Sequence, residues 1–463
     1  MPQDNEPLTE SERRTRNELA MTQTQADHSD ITPKKIRRVL WAAIVGTVIE
    51  WYDFVLFAVA SGLIFNKLFF PSLSPTAGTL ASFATLAVGF LARPIGGLII
   101  SHFGDKKGRK PALVFTIALM GLSTISIGLL PTYAQIGIMA PLLLVLLRLL
   151  QGIGAGAEYA GALILVAEYV PARKKGYYTA FVLSATVVGL LLASIIFRLI
   201  SQLPEQDLLT WAWRIPFLFS AVLVIVALYI RRSLEETPEY VRAVQHASEQ
   251  KRAASIPLGE VLRKQPKALI CGFLAMSGAN AATYTLNSFA LSYMVNNLGF
   301  TNSEALNIII LAAIAGIVCT PLMGKLSDRF GYARMYILGT LFILLYAGPM
   351  FWLMDSKNII LATVAMMIGY GVGFGSVAGS QGAFLTGLFP TRYRFTGITF
   401  VRELNGATVA GMTPFIATWL TEQDGGRSNY LVGYLIALCA ISIVAILVLR
   451  HNKQDQEAVA VQP

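Results

Sequence analysis

Charged side chains make up only 14% of this 463-residue chain, against 54% apolar ones, and the mean hydropathy is +0.57. A water-soluble protein of that length cannot hide so much apolar surface, so the shortage of charge predicts lipid as the solvent. Cysteine is also scarce. Cys271, Cys319 and Cys439 lie inside apolar runs with no pairing pattern, which excludes a disulfide framework and predicts free thiols. The four histidines (His28, His102, His246, His451) fall in tails or loops, which argues against haem or metal within the membrane. No Walker phosphate loop is present, so ATP is not the energy source. With no nucleophile–base set or metal triad either, an enzyme is not expected, and no cofactor is implied. The net charge of +10 could suit nucleic acid, but the cations cluster in short loops between apolar runs instead of covering a face. That pattern sets membrane topology.

A bilayer core needs about 20 apolar residues per helix. Twelve such runs occur, near 38–65, 78–101, 111–131, 139–168, 177–201, 212–230, 267–296, 303–325, 334–354, 359–388, 396–420 and 429–449. Alternate loops carry nearly all the Lys and Arg, among them Arg37, Arg38, Lys106, Arg109, Arg173, Lys174, Arg231, Lys264, Lys325, Arg329 and Arg394. The opposite loops hold little beyond Lys67, Lys357 and Arg427. By the positive-inside rule both termini are cytoplasmic. The expected division is a disordered cytoplasmic tail (1–34), a six-helix bundle (35–231), a cytoplasmic linker (232–266), a second six-helix bundle (267–450) and a short cytoplasmic tail (451–463). The first tail lacks the features of a signal peptide, and Met21 would serve as a start as well as Met1. The linker has too few apolar residues for a core of its own.

One cytoplasmic pattern is written twice. Ser101–Lys110 reads SHFGDKKGRK and Gly324–Arg334 reads GKLSDRFGYAR, at matching places in the two halves. Two similar membrane bundles around one axis are the architecture of a secondary transporter. The loop FGDKKGRKPAL resembles the signature of the major facilitator superfamily (MFS), and RLLQGIGAGAE (Arg148–Glu158) resembles its second signature. EWYDF (Glu50–Phe54), ARPIGG (Ala92–Gly97), WAWRIPF (Trp211–Phe217), SLEETPEY (Ser233–Tyr240) and LFPTRYRFTG (Leu388–Gly397) are similar to the metabolite:H⁺ symporter family. That family includes shikimate, α-ketoglutarate, citrate and proline/betaine carriers. The resemblance implies an all-α fold of twelve transmembrane helices. It departs from the pattern at Ser101, where glycine is usual, and at Tyr332 and Ala333, which replace a basic pair. The second loop is therefore expected to be clamped less firmly.

The resemblance implies that Asp105 meets a helix end of the other bundle and locks the cytoplasmic side, with Gly104 and Gly108 making the turn and Arg109 holding it. Asp328 and Arg329 repeat the arrangement. The competing reading is a plain topogenic basic loop. Glu50 and Asp53 lie three apart on helix one, hence on one face. Carboxylates within a span are costly and usually face a cavity or a partner. Burial disfavours the charged form, so either could exchange a proton, Asp53 being the deeper; the alternative is a structural pair with an arginine. Arg148, Gln151, Ala155 and Glu158 form one stripe on helix four. The resemblance implies a coupling role for Arg148, whose planar fork can also take a substrate carboxylate, and Glu158 is another proton candidate. Static pairing is the alternative for both.

Arg93 is a gating candidate that could pair with Asp53 or Glu158, and Glu168 reads as part of a charge cluster with Arg173 and Lys174. On helix seven Ser277, Asn280, Tyr284 and Asn287 form a polar stripe that predicts a water-filled cavity and substrate contacts, against plain interhelical bonding. Arg402, with Glu403 and Asn405 on helix eleven, offers a second cationic contact unless Glu403 neutralises it. Gln381 and Tyr370 on helix ten are weaker candidates. The expectation is a monomeric proton symporter of the bacterial inner membrane, importing a small polar metabolite. Buried arginines favour an organic acid such as shikimate or a di- or tricarboxylate; a zwitterionic osmolyte comes second. A metabolite sensor built on a transporter scaffold is the reading of another class.

Overall fold

The structure, a computed structural model, describes residues 32–200, 202–232, 257–390 and 393–460. The first tail, most of the linker with its SLEETPEY run, and Arg392 lie outside the described residues. Among the described residues, eleven helices are long and apolar enough to cross a membrane. We number the spans α1 (Pro33–Ala60), α2 (Pro75–Lys107), α3 (Arg109–Leu129), α4 (Met139–Tyr169), α5 (Lys175–Ile200) and α6 (Arg214–Arg232). The second half holds α7 (Pro266–Asn296), α8 (Asn302–Phe330), α9 (Tyr332–Asp355), α10 (Ile359–Thr386) and α12 (Asn429–Leu449). Span eleven, α11, is made of two shorter helices, Arg394–Asn405 and Thr413–Gln423, around a wide π turn at Gly406–Ala410.

Local chemistry sets the helix ends. Thr32 and Ser74 cap α1 and α2, each followed by proline at the first helical position, where its missing N–H costs nothing. Thr301 and Glu304 cap α8 reciprocally. The duplicated loop is a single residue: α2 gives way to α3 at Gly108 (φ 110°), and α8 to α9 at Gly331 (φ 92°). Side chains rarely adopt that left-handed backbone, so glycine is required at both corners. Gly104 does not take part in the turn as expected. It stays helical, and a Cβ there would lie 2.5 Å from the Phe395 ring of the other half, so its role is close packing.

The two halves meet along their cytoplasmic portions. An apolar cluster crosses between them, joining Ile100, Ala160 and Ile164 of the first half to Phe384, Phe395 and Ile398 of the second. Glycines allow α5 and α8 to touch: a Cβ on Gly324 would lie 2.6 Å from both the Ala180 Cβ and the Gly176 carbonyl. Ser184 donates to the Ile317 carbonyl at 3.3 Å farther along the same contact. A linker helix, Pro257–Lys264, buries Val261 in this cluster. Large apolar side chains such as Leu91, Leu345, Trp352 and Phe415 are exposed on the perimeter, as lipid-facing positions should be.

Candidate functional site: a buried charge network beside a central cavity

A cavity lies between the halves, lined among others by Trp51, Phe90, Arg93, Tyr159, Asn280, Tyr284, Asn287, Gln381, Arg402 and Glu403. Its cytoplasmic floor is a bond between the halves. Tyr159 donates to the Gln381 Oε1 at 2.9 Å, and Gln381 in turn donates to Tyr336 at 3.3 Å. The wide turns Thr285–Phe289 of α7, Gly369–Phe374 of α10 and Gly406–Ala410 of α11 all belong to the second half. Such turns leave backbone irregular where protein or a cavity, not lipid, surrounds it.

Two arginines reach the cavity, and neither is free. Arg93 pairs with Glu50, not with Asp53 or Glu158 as expected. Arg402 pairs with its neighbour Glu403, as the local-neutralisation reading had it, and lies 3.8 Å from Glu50 Oε1 across the interface between the halves. Its guanidinium also sits 3.8 Å from the Tyr159 ring centroid. Glu50 is thus shared by a cation from each half, while its second oxygen, Oε2, has no hydrogen-bond partner.

Behind Arg93 a smaller cavity joins Glu50 to Asp53 and is also lined by Phe90, Arg148 and Gln151. Asp53 is fully buried and, among the described residues, is ion-paired with no cation. It accepts from Thr124 at 2.7 Å and from Ser220 at 3.0 Å. Thr124 accepts from Gln151 at 2.7 Å, and Gln151 binds Arg148. Arg148 stacks over Phe57 at 4.3 Å and lines the small cavity, not the central one. Hydroxyls and an amide can adapt to either protonation state of the carboxyl, because each can donate or accept.

The remaining candidates sit elsewhere. Glu158 accepts from Thr116 at 2.8 Å and from both guanidinium nitrogens of Arg231, an arginine the sequence reading counted only towards topology. Glu168 pairs with Arg109, and with Arg394 of the other half at 3.0 Å, and not with Arg173 or Lys174. Asp328 accepts the Gly176 and Tyr177 N–H groups at 2.7 and 3.0 Å, at the start of α5 in the opposite half. A carboxylate at a helix N-terminus is favourable, so the second copy of the loop does make a firm clamp. The side chain of Asp105 is outside the described ones. Arg329 is exposed beside Asp328. Ser277 turns away from the cavity to Asn405, which also bonds Asn280 at 2.6 Å. Tyr370 is buried in the second half's core.

The model of the Major Facilitator Superfamily matches residues 43–412. The chain belongs to that superfamily. It is 38% identical over 450 residues to the inner membrane metabolite transport protein YhjE of Escherichia coli K12, covering 95% of this chain and 100% of that one. The shikimate transporter of the same organism is 36% identical over 439 residues (93% and 98% covered). A proline/betaine transporter of Salmonella typhimurium is 34% identical over 429 residues (91% and 85%). These relatives agree with the metabolite:H⁺ symporter resemblance. Among solved structures, the proton:xylose symporter XylE aligns with TM-score 0.73 at 18% identity, over 90% of this chain and 96% of that one, which shows a shared fold. The protein is a twelve-span membrane transporter of metabolites, not an enzyme.

Proposed function

We propose that the protein is a proton-coupled importer of a small carboxylate metabolite, working in a bacterial inner membrane by alternating access between its two halves. The observation that carries this reading is the placement of Asp53 and Glu50 on one small cavity behind Arg93, at the edge of the central one. Proton arrival at Glu50 would release Arg93 and Arg402 from their shared carboxylate. Arg93 would then be free and Arg402, held by Glu403 alone, would have donors to spare, so that the two could hold a substrate carboxylate from opposite halves. Asn280, Tyr284, Asn287 and Gln381 would bond the hydroxyl or further polar groups. Asp53 would store the proton during the conformational change.

Shikimate, proline and betaine, named for the relatives, all carry a carboxylate. A hydroxylated organic acid or a di- or tricarboxylate is the first substrate class. A zwitterionic osmolyte is the second, favoured by one specific feature: Trp51, Phe90, Tyr159 and Tyr284 give the cavity an aromatic lining suited to a quaternary ammonium. Uptake of radiolabelled organic acids and betaine into proteoliposomes under an imposed pH gradient tests the reading. Accumulation that collapses with a protonophore supports symport. Binding without accumulation would favour the sensor reading instead.

A further inference from the structure

A cleft of about 1090 Å³ opens at the cytoplasmic ends of α5 and α8, away from the central cavity. Four cations line it, two from each half: Arg173 and Lys174 just before α5, Lys325 and Arg329 in the last turns of α8. Asp328 is the one carboxylate lining this cleft, and both of its oxygens are already engaged by backbone N–H groups of α5. The four cations are exposed, and among the described residues none of them makes a hydrogen bond or a salt bridge, although Lys174 lies close enough to act electrostatically on Asp328. Like charges gathered from two bodies repel each other, so closing the cytoplasmic side concentrates positive charge that one engaged aspartate does not cancel.

The lipid-facing surface beside the cleft has a matching shape. Val318, Leu322, Leu326 and Phe330 recur at four-residue steps on α8 and are exposed, forming an apolar stripe. Lys325 and Arg329 stand three residues beyond Leu322 and Leu326, hence beside them on the helix surface. A molecule with an anionic head and an apolar chain would satisfy both features at once. Free phosphate would satisfy only the cations.

We propose that this cleft binds the phosphate headgroup of an anionic phospholipid of the cytoplasmic leaflet, its acyl chain lying along the α8 stripe. Because each half supplies two of the cations, parting the halves at this face takes away half of the headgroup's partners. The lipid therefore binds the cytoplasm-closed arrangement better and shifts the equilibrium towards it by that difference in affinity. The shift rests on the alternating-access reading; the binding does not.

The test places spin labels at positions 103 and 334, exposed at the cytoplasmic ends of α2 and α9. The full-length protein is reconstituted in phosphatidylcholine vesicles with and without phosphatidylglycerol, and native mass spectrometry reports retained lipid. One cation beside an anionic membrane surface is worth about fivefold in an equilibrium constant, so phosphatidylglycerol should raise the closed-to-open ratio about fivefold or more. The combined variant Arg173→Gln, Lys174→Gln, Lys325→Gln should already be more closed than wild type in pure phosphatidylcholine, because the repulsion is gone. It should gain nothing from phosphatidylglycerol and should retain less of it. Inorganic phosphate added to phosphatidylcholine vesicles should leave the ratio unchanged. The proposal fails if wild type ignores phosphatidylglycerol, if the variant responds as wild type does or is more open in neutral lipid, or if phosphate alone reproduces the shift. A label distance that moves with pH but not with lipid sinks the lipid site and leaves the transport reading standing. A distance fixed under every condition sinks both.

Discussion

The two halves share a fold but differ in what they bury. Among the described residues, the first half buries Glu50, Asp53, Arg109, Arg148, Glu158, Glu168 and Arg231, whereas the second buries only Glu403 of its charged side chains. The second half instead buries amides, hydroxyls and phenols (Ser277, Gln381, Asn405, Tyr336 and Tyr370), of which Gln381 lines the cavity. Buried charge in a span is costly and is retained where it does work, while neutral hydrogen-bonding groups can recognise a polar solute without changing state. The comparison supports the proposal that the first bundle handles the proton and the second makes most of the neutral substrate contacts. Arg402 and Glu403 are the exception, and they lie against Glu50, where the two roles meet.

Breaking that division should cost most at Asp53. Asp53→Asn keeps a group that can bond Thr124 and Ser220 but removes the carboxyl to which the proposal gives the proton. Uphill accumulation in proteoliposomes should vanish while counterflow exchange persists in part. Equal concentrative uptake by the variant would make Asp53 structural and would dissolve the assignment of proton handling to the first half. Glu158 is the next largest effect, of a different kind. Removing Arg231 alone leaves a buried carboxylate without its cation, a loss of about 3–5 kcal/mol. Glu158→Gln with Arg231→Met should recover most of that loss in thermal unfolding. If the double variant also transports protons normally, Glu158 belongs to the frame of the bundle and not to its chemistry.

That distinction separates what sequence could and could not convey. The twelve runs, the orientation and the duplicated loop follow from hydropathy, loop charge and glycine, which are local properties. The carboxylates of α1 were legible for the same reason, since ionisable residues stand out in an apolar span. Their partners were not, because pairing depends on which helix faces which. Arg93 reached Glu50, Glu158 reached Arg231, and Glu168 reached Arg109 and Arg394, all over long separations in the chain. Thr124 and Ser220, which hold Asp53, had left only a faint signal as hydroxyls in apolar spans. The anionic-substrate expectation is altered by the same geometry, since Arg93 and Arg402 both stand beside carboxylates that must let go first.

The seam between the halves sharpens the comparison at smaller cost. Gly324→Val adds carbon atoms where even a Cβ would lie 2.6 Å from the Ala180 Cβ and the Gly176 carbonyl. The cytoplasmic side should then open, and thiol reagents should reach a cysteine placed at position 184 more quickly than in the parent. Unchanged access would mean that α5 and α8 tolerate the strain. Within the second half, Asn405→Ala removes the bonds that orient Asn280 and Ser277. A neutral bond contributes about 1 kcal/mol, so substrate affinity should fall about fivefold with the pH dependence of uptake unmoved. A shifted pH profile would place proton handling in both halves.

The smallest effect tests whether burial, and not mere charge, separates the bundles. Lys67 and Glu205 form an exposed pair at the outer face of the first half, 2.5 Å apart. The hydrogen bond and charge of Lys67 hold the Glu205 carboxyl below its usual range. With the folded value depressed, whatever stability the pair provides is present above the ordinary carboxylate range and fades as pH falls through the lowered value. Exposed pairs contribute little because water and salt screen them. Lys67→Gln should therefore leave the melting temperature unchanged within measurement at neutral pH, and the acid side of the unfolding profile unmoved. A loss as large as that for Arg231→Met would show that charge count, and not desolvation, governs the first bundle.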